Sequence, residues 1–115
     1  MSKVLLVEDD PDVLHEVSTI LNDNGHSVTA VKDLGTALRE AQMLREGSIV
    51  VTDKNLGGHR GVEPMLDYLK EEKPEVKVIL MSAEPSQYAR RQLYCHDFVE
   101  KGNPNTFDRL LQLVQ

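Results

Sequence analysis

The chain has 115 residues, of which 40% are hydrophobic and 28% are charged, and its formal net charge at pH 7 is −6. This length suits one domain with a single core, so residues 1–115 are predicted to be one domain, either a whole protein or the amino-terminal part of a longer one. The acidic balance argues against direct nucleic-acid binding, which needs lysine and arginine to neutralise phosphates. Because it has a single cysteine, no signal peptide and no apolar run of about 18 residues, we expect a cytoplasmic protein without membrane attachment.

Strand and helix patterns alternate from the amino terminus. Residues 4–7 are a continuous apolar run, after which Asp10 caps a helix and Pro11 opens it. A second strand is predicted at residues 27–31, and Asp33 caps the next helix. The apolar residues at helical spacing are Val13, Leu14, Val17, Ile20 and Leu21 in the first helix, and Leu34, Ala37, Leu38, Ala41 and Leu44 in the second.

The pattern repeats in the middle of the chain. A third apolar run, residues 48–52, ends at Asp53, and a loop with three glycines follows between residues 55 and 61. The next helix has its apolar stripe at Val62, Met65, Leu66 and Leu69. A fourth strand, residues 76–81, then leads to Ser82.

The last third of the chain predicts two further helices and one short strand. Pro85 and Ser86 open a fourth helix, whose apolar residues are Tyr88, Ala89, Leu93 and Tyr94. The fifth strand, residues 96–99, leads to Lys101. Pro104 starts a final helix with Phe107, Leu110, Leu111 and Val114.

The order of elements is therefore (βα)5, which places the chain in the α/β class. Right-handed crossovers make this a doubly wound, five-stranded parallel sheet of order 2-1-3-4-5 with helices on both faces. Ligands of such sheets bind beyond the carboxyl ends of the strands. The polar groups that follow the strands are predicted to share one crevice there, namely Glu8, Asp9, Asp53, Ser82 and Lys101.

Over essentially its whole length the chain resembles the receiver domains of two-component response regulators. The resemblance rests on the sequence VLLVEDDP at residues 4–11, on Asp53 with Gly61 eight positions later, on the pair Ser82 and Ala83, and on Phe98 three residues before Lys101. The distances between these motifs along the chain also fit the family.

This resemblance implies roles for individual residues. Asp53 would be the phosphoacceptor, with Mg²⁺ or Mn²⁺ held by Asp53, by Asp9 directly, by Glu8 through water and by the backbone carbonyl of Asn55. Such a cation prefers oxygen ligands and retains several waters. Lys101 would pair with Asp53 before transfer and with a phosphoryl oxygen after it.

The remaining implied roles concern switching and lifetime. Ser82 would be the hydroxyl drawn toward the phosphoryl group, and Phe98 the aromatic that repacks with it, although Phe98 is equally compatible with static core packing. Asn55 and Glu84 occupy the two positions that tune hydrolysis of the acyl phosphate, and an amide with an acid there resembles the faster-decaying members. The four histidines share no metal-ligand spacing and are predicted at the surface or in turns.

The implied function is a response regulator receiver. It would accept a phosphoryl group from a sensor histidine kinase or phosphotransfer protein and switch an interaction surface, without turnover of an external substrate. In the family that surface is commonly formed by the fourth helix, the fifth strand and the fifth helix, and it is used for homodimers or effectors. Here the stretch from Ser82 to Lys101 is short, which predicts a short or poorly ordered fourth helix. Arg90, Arg91 and Tyr94 would lie on that surface.

Two departures keep an alternative open. Gly57 and Gly102 each stand where the family usually has a proline, and the second departure puts the reach of Lys101 in question, because the peptide before that proline is often cis. A pseudo-receiver, acting as a phosphorylation-independent interaction module, is therefore the alternative. An aspartyl-phosphate phosphatase is disfavoured by Asn55, where such enzymes carry a second acid. A flavin protein is disfavoured by the acids after the first strand.

Overall fold

A computed structural model of the chain describes residues 2–54, 61–83 and 93–115. Five parallel strands form one sheet in the order β2-β1-β3-β4-β5, which confirms the predicted topology. The strands are β1 (Lys3–Val7), β2 (Ser27–Val31), β3 (Ile49–Asp53), β4 (Lys77–Ser82) and β5 (Asp97–Glu100). The order reverses between β1 and β3, so a crevice forms at the carboxyl ends of these two strands.

Four helices are present in the described residues: α1 (Pro11–Asp23), α2 (Leu34–Gln42), α3 (Glu63–Glu72) and a C-terminal helix (Thr106–Val114). Both predicted amino-terminal caps are confirmed. The Asp10 carboxylate accepts hydrogen bonds from the backbone N–H groups of Asp12 and Val13, and the Asp33 carboxylate accepts one from Thr36. These bonds satisfy donors that a first helical turn leaves without intrahelical partners.

Other boundaries differ from the prediction, and strands β3, β4 and β5 each lie one residue later than predicted. Helix α2 ends at Gln42, yet Leu44 beyond it is still buried. The C-terminal helix begins at Thr106 and not at Pro104, and the Thr106 hydroxyl donates a hydrogen bond of 2.7 Å to the Glu100 carbonyl. The predicted fourth helix falls largely on residues 84–92, outside the described residues, but its last two members, Leu93 and Tyr94, lie in irregular backbone.

Both faces of the sheet are covered, as predicted. One face packs α2 and α3 against residues such as Leu5, Val50 and Leu80. The opposite face packs α1 and the C-terminal helix against Leu6, Val51 and Met81. Alternate residues of the same strands point to the two faces, which is why the inner strands read as continuous apolar runs.

Two histidine rings accept hydrogen bonds from backbone N–H groups beside the amino ends of the outer strands β2 and β5. The backbone N–H of Ser2 donates to Nδ1 of His26 at 3.1 Å, just before β2. The backbone N–H of Val78 donates to Nδ1 of His96 at 2.9 Å, just before β5. His26 follows the turn after α1, in keeping with the prediction of a surface or turn position, but it is buried, whereas His15 and His96 are exposed.

Within residues 2–54, 61–83 and 93–115, no helix has the length and apolar character needed to cross a membrane.

Candidate functional site

Three carboxylates meet at the crevice between β1 and β3. Glu8 and Asp9 directly follow β1, and Asp53 is the last residue of β3. Oxygen atoms of all three carboxylates lie within 4.8 Å of one another. Glu8 is 1% and Asp53 7% exposed, whereas Asp9 is exposed to solvent. The sheet topology thus brings together acids that are 45 residues apart in sequence, as counted from Glu8 to Asp53.

Lys101 bridges two of these acids. Its Nζ lies 2.8 Å from Oε2 of Glu8 and 2.9 Å from Oδ2 of Asp53. Its backbone N–H donates to the Ser82 carbonyl at 2.8 Å, which extends the ladder between β4 and β5 by one residue and aims the side chain over the crevice. The predicted contact between Lys101 and Asp53 is therefore present.

The turn after Lys101 answers the question raised by the missing proline. The Lys101–Gly102 peptide is trans, and Gly102 has φ 75°. This left-handed conformation suits glycine and is closed to proline, whose ring fixes φ near about −65°. The turn is therefore formed with glycine, and the Lys101 side chain still reaches Glu8 and Asp53.

The electrostatics of the cluster are unequal. Burial is the main reason why the pKa of Glu8 is raised, and the charge of Asp53 adds to it, while hydrogen bonds from Lys101 and the Asp10 backbone oppose it. Burial also acts to lower the pKa of Lys101, but its hydrogen bonds to Glu8 and Asp53 outweigh burial and raise that pKa. Lys101 is thus held charged, while the Glu8 carboxylate is only partly compensated. The three acids and one lysine together leave an excess of negative charge.

The other predicted site residues are placed as follows. Ser82 is fully buried as the last residue of β4, paired with Glu100 of β5. Phe98 is 7% exposed and pairs with Leu80 on the face covered by α2 and α3. Asn55 and Glu84 lie outside the described residues, as does Gly57. The roles predicted for these residues stay predictions.

Two features of the site were missed by reasoning from sequence. One is the direct contact between Glu8 and Lys101, which depends on how far Glu8 is buried. The other is Thr52, whose fully buried hydroxyl donates a hydrogen bond of 3.0 Å to the carbonyl of Asp53. The available signal was a hydroxyl within an otherwise apolar strand, since a buried donor needs an acceptor.

Comparison with known proteins agrees with this geometry. The family model of the response regulator receiver domain matches residues 4–115. The nitrogen assimilation regulatory protein NtrX of Azorhizobium caulinodans is 34% identical over 117 aligned positions, covering 97% of this chain and 25% of that protein. The chain thus spans about a quarter of the length of this curated relative.

Solved structures show the same relation. The receiver domain of NtrX from Brucella abortus is 30% identical, with a TM-score of 0.78 over 96% of this chain and 92% of that one. The response regulator TrrA of Thermotoga maritima, solved with Mg²⁺–BeF, has a TM-score of 0.82 over the full length of both chains; at 19% identity it supports the fold alone. The match of family, fold and acidic crevice leads to one conclusion: this chain belongs to the response regulator receiver domain family.

Proposed function

We propose that Asp53 accepts a phosphoryl group from a phosphohistidine of a sensor histidine kinase or phosphotransfer protein. The observation that carries this proposal is the position of the Asp53 carboxylate. It ends a buried strand, contacts the Lys101 Nζ at 2.9 Å and lies beside the oxygens of Glu8 and Asp9. A carboxylate becomes a useful nucleophile when neighbouring cations offset its repulsion from the incoming phosphoryl group.

The same acids fit a divalent cation. Their ligand atoms are carboxylate oxygens, the type that Mg²⁺ and Mn²⁺ prefer, and the excess negative charge of the cluster favours a cation. We assign Glu8, Asp9, Asp53 and the backbone carbonyl of Asn55 as its ligands. When bound, the cation supplies charge neutralisation between Asp53 and the donor phosphate. Because Glu8 is buried, it would orient a water ligand of the cation from the protein side. Asp9 is exposed and would bind the cation directly.

The transfer itself needs few groups from the protein. An oxygen of the Asp53 carboxylate attacks phosphorus, a new P–O bond forms, and the N–P bond to the donor imidazole breaks, with the electron pair leaving on that nitrogen. Lys101 neutralises charge on the phosphoryl oxygens, as its raised pKa keeps it protonated. Ser82 then moves toward the new phosphoryl group and Phe98 repacks with it, while Asn55 and Glu84 tune the return hydrolysis.

The functional result of phosphorylation is a changed protein surface. We assign the domain the role of a binding module that turns over no external substrate. Its output face would include β5 and the C-terminal helix, to which the Thr106 hydroxyl ties the end of β5. A homodimer or an effector would read this face. The alternative is a pseudo-receiver, which would use such a face without phosphorylation.

The decisive experiment is intact-mass measurement after incubation with acetyl phosphate, with and without Mg²⁺. We expect the wild type to gain one phosphoryl group only with Mg²⁺, and Asp53→Asn to gain none. Asp23→Asn is the matched control, because Asp23 is an exposed acid at the far end of α1. A folded wild type that gains no mass under any condition would instead support the pseudo-receiver.

A further inference from the structure

Thr52 is a polar residue in an apolar layer. It is fully buried, and its sheet neighbours in register are Val7 of β1 and Leu80 of β4, both also fully buried. A valine would have a similar shape, higher strand preference and no polar atom to satisfy. Packing alone therefore does not call for a hydroxyl at this position.

The Thr52 hydroxyl donates its hydrogen bond to the carbonyl of the peptide group between Asp53 and Lys54. The register between β1 and β3 ends at the pair Val7 and Thr52, whereas the register between β3 and β4 continues to Asp53. Beyond Val7, the backbone N–H of Glu8 turns to the Val31 carbonyl of β2. At Asp53, β3 has thus run past its ladder with β1, and there the Thr52 hydroxyl donates to the Asp53 carbonyl at 3.0 Å.

The Asp53 carbonyl and the Lys54 N–H belong to one peptide group, which is also held from the side of β4. The Lys54 N–H donates to the Met81 carbonyl at 2.9 Å. Gly61, with φ 56°, packs so closely that a Cβ on it would lie 3.1 Å from the Lys54 carbonyl. The peptide group between Asp53 and Lys54 is therefore held at its N–H by Met81 and at its carbonyl by Thr52, and Gly61 packs against the carbonyl that follows.

We propose that Thr52 is a positioning residue for phosphoryl transfer, and this inference rests on the function proposed for Asp53. Its hydroxyl holds the Asp53 carbonyl and thereby orients the carboxylate toward Lys101 and the acids after β1. Without the bond, this peptide group keeps the hydrogen bond from the Lys54 N–H to Met81 but loses the restraint on its carbonyl, and the carboxylate spends less time in the geometry that transfer requires. Small losses of alignment at a reacting group lower rates measurably.

The test compares Thr52→Val with Thr52→Ser, using initial rates of adduct formation from acetyl phosphate with saturating Mg²⁺ and urea unfolding of the same samples. We expect Thr52→Val to lower the maximal rate about 3- to 10-fold, the range for one net hydrogen bond, with an unchanged or higher urea midpoint. Thr52→Ser, which keeps the donor, should stay within about twofold of the wild type. Ser48→Ala, one residue before β3 at the opposite end of the strand, is the control for loss of a buried hydroxyl and should leave the rate unchanged.

Each other outcome overturns the inference in a recognisable way. A wild-type rate for Thr52→Val shows that the bond has no positioning role, while the proposed function stands. A slow Thr52→Val with a lowered urea midpoint and no rescue by Thr52→Ser shows a structural role only. If the wild type itself takes no phosphoryl group, the proposed function fails and this inference fails with it.

Discussion

Polar groups at the two ends of the sheet differ in the partners that they contact. At the amino end, the rings of His26 and His96 accept hydrogen bonds from backbone N–H groups, and Lys77 donates to the Leu113 carbonyl at 2.6 Å. Each of these bonds satisfies a backbone group that the sheet or helix leaves at its boundary. At the carboxyl end, Glu8 and Asp53 are buried next to each other, with Lys101 between them.

This difference separates groups that hold the fold from groups that serve the site. Polar groups at the amino end gain partners on folding, so they should add to stability. Acids at the carboxyl end lose water and approach like charges, and the raised pKa of Glu8 records that cost. Substitutions at the amino end should therefore lower stability and spare phosphorylation, and neutralising the buried acid Glu8 of the site should do the reverse.

The largest expected effect is that of Lys101→Met, which would leave two buried acids without their shared cation. We expect a loss of about 2 kcal/mol in the free energy of unfolding, less than for a fully buried pair because Lys101 retains some exposure, together with loss of the phosphoryl adduct. Urea unfolding at neutral pH in EDTA measures the first effect. Lys3→Met, the same change at an exposed lysine of β1, is the control. Equal stability of the two variants would contradict the bridge.

At the other end of the sheet, His96→Ala removes the acceptor for the Val78 N–H and the edge contact with the Tyr94 ring, whose centroid lies 5.3 Å away. We expect a loss of about 1 kcal/mol, as for one hydrogen bond, with an unchanged rate of adduct formation. The matched control is His15→Ala on the exposed face of α1. A slower adduct formation in His96→Ala would show that the two ends are coupled.

The Glu8→Gln variant tests whether burial of the Glu8 carboxylate lowers the stability of the protein, measured in EDTA as a function of pH. Because its pKa is raised, native Glu8 holds its proton more tightly than the unfolded chain does. Its contribution to stability is thus present below the usual value of 4.5 and lost as the pH rises through the raised pKa. The glutamine variant should therefore be at least as stable as the wild type at neutral pH, yet bind Mg²⁺ more weakly in calorimetry. A wild type that is the more stable at neutral pH in EDTA would contradict this sign.

The smallest effect is expected at Asp33, an acid at the same end of the sheet but outside the site. Hydrogen bonds from the Thr36 backbone and then from its hydroxyl lower the pKa of Asp33. The stability that it contributes is thus present above the usual value of 3.8 and lost as the pH falls through the lowered pKa. Asp33→Asn should be slightly less stable than the wild type at neutral pH, and urea midpoints should converge in acid. A gap that persists in acid would point to lost geometry rather than lost charge.

Much of the fold was predictable because the local signals agree with the tertiary arrangement. Apolar runs, the caps Asp10 and Asp33 and the alternation of periods specify parallel strands joined by helices, and parallel strands place all the acids at one edge. Boundaries were less predictable. Leu44 is buried although α2 ends before it, since burial depends on the neighbouring strand and not on helical spacing. The burial of His26 was unpredictable for the same reason, as its partner, Ser2, is 24 residues away.

The sequence by itself determined which groups reach the carboxyl edge, because each stands directly after an apolar run and parallel strands all end at that edge. Only the tertiary structure decided which of those groups contact one another. Whether Lys101 contacts one acid or two depends on the turn at Gly102 and on the burial of Glu8, and both depend on packing between elements distant in sequence. The hydrogen bond from Thr52 to the Asp53 carbonyl likewise lies where β3 extends beyond the end of its pairing with β1. That position is defined only once the sheet has formed.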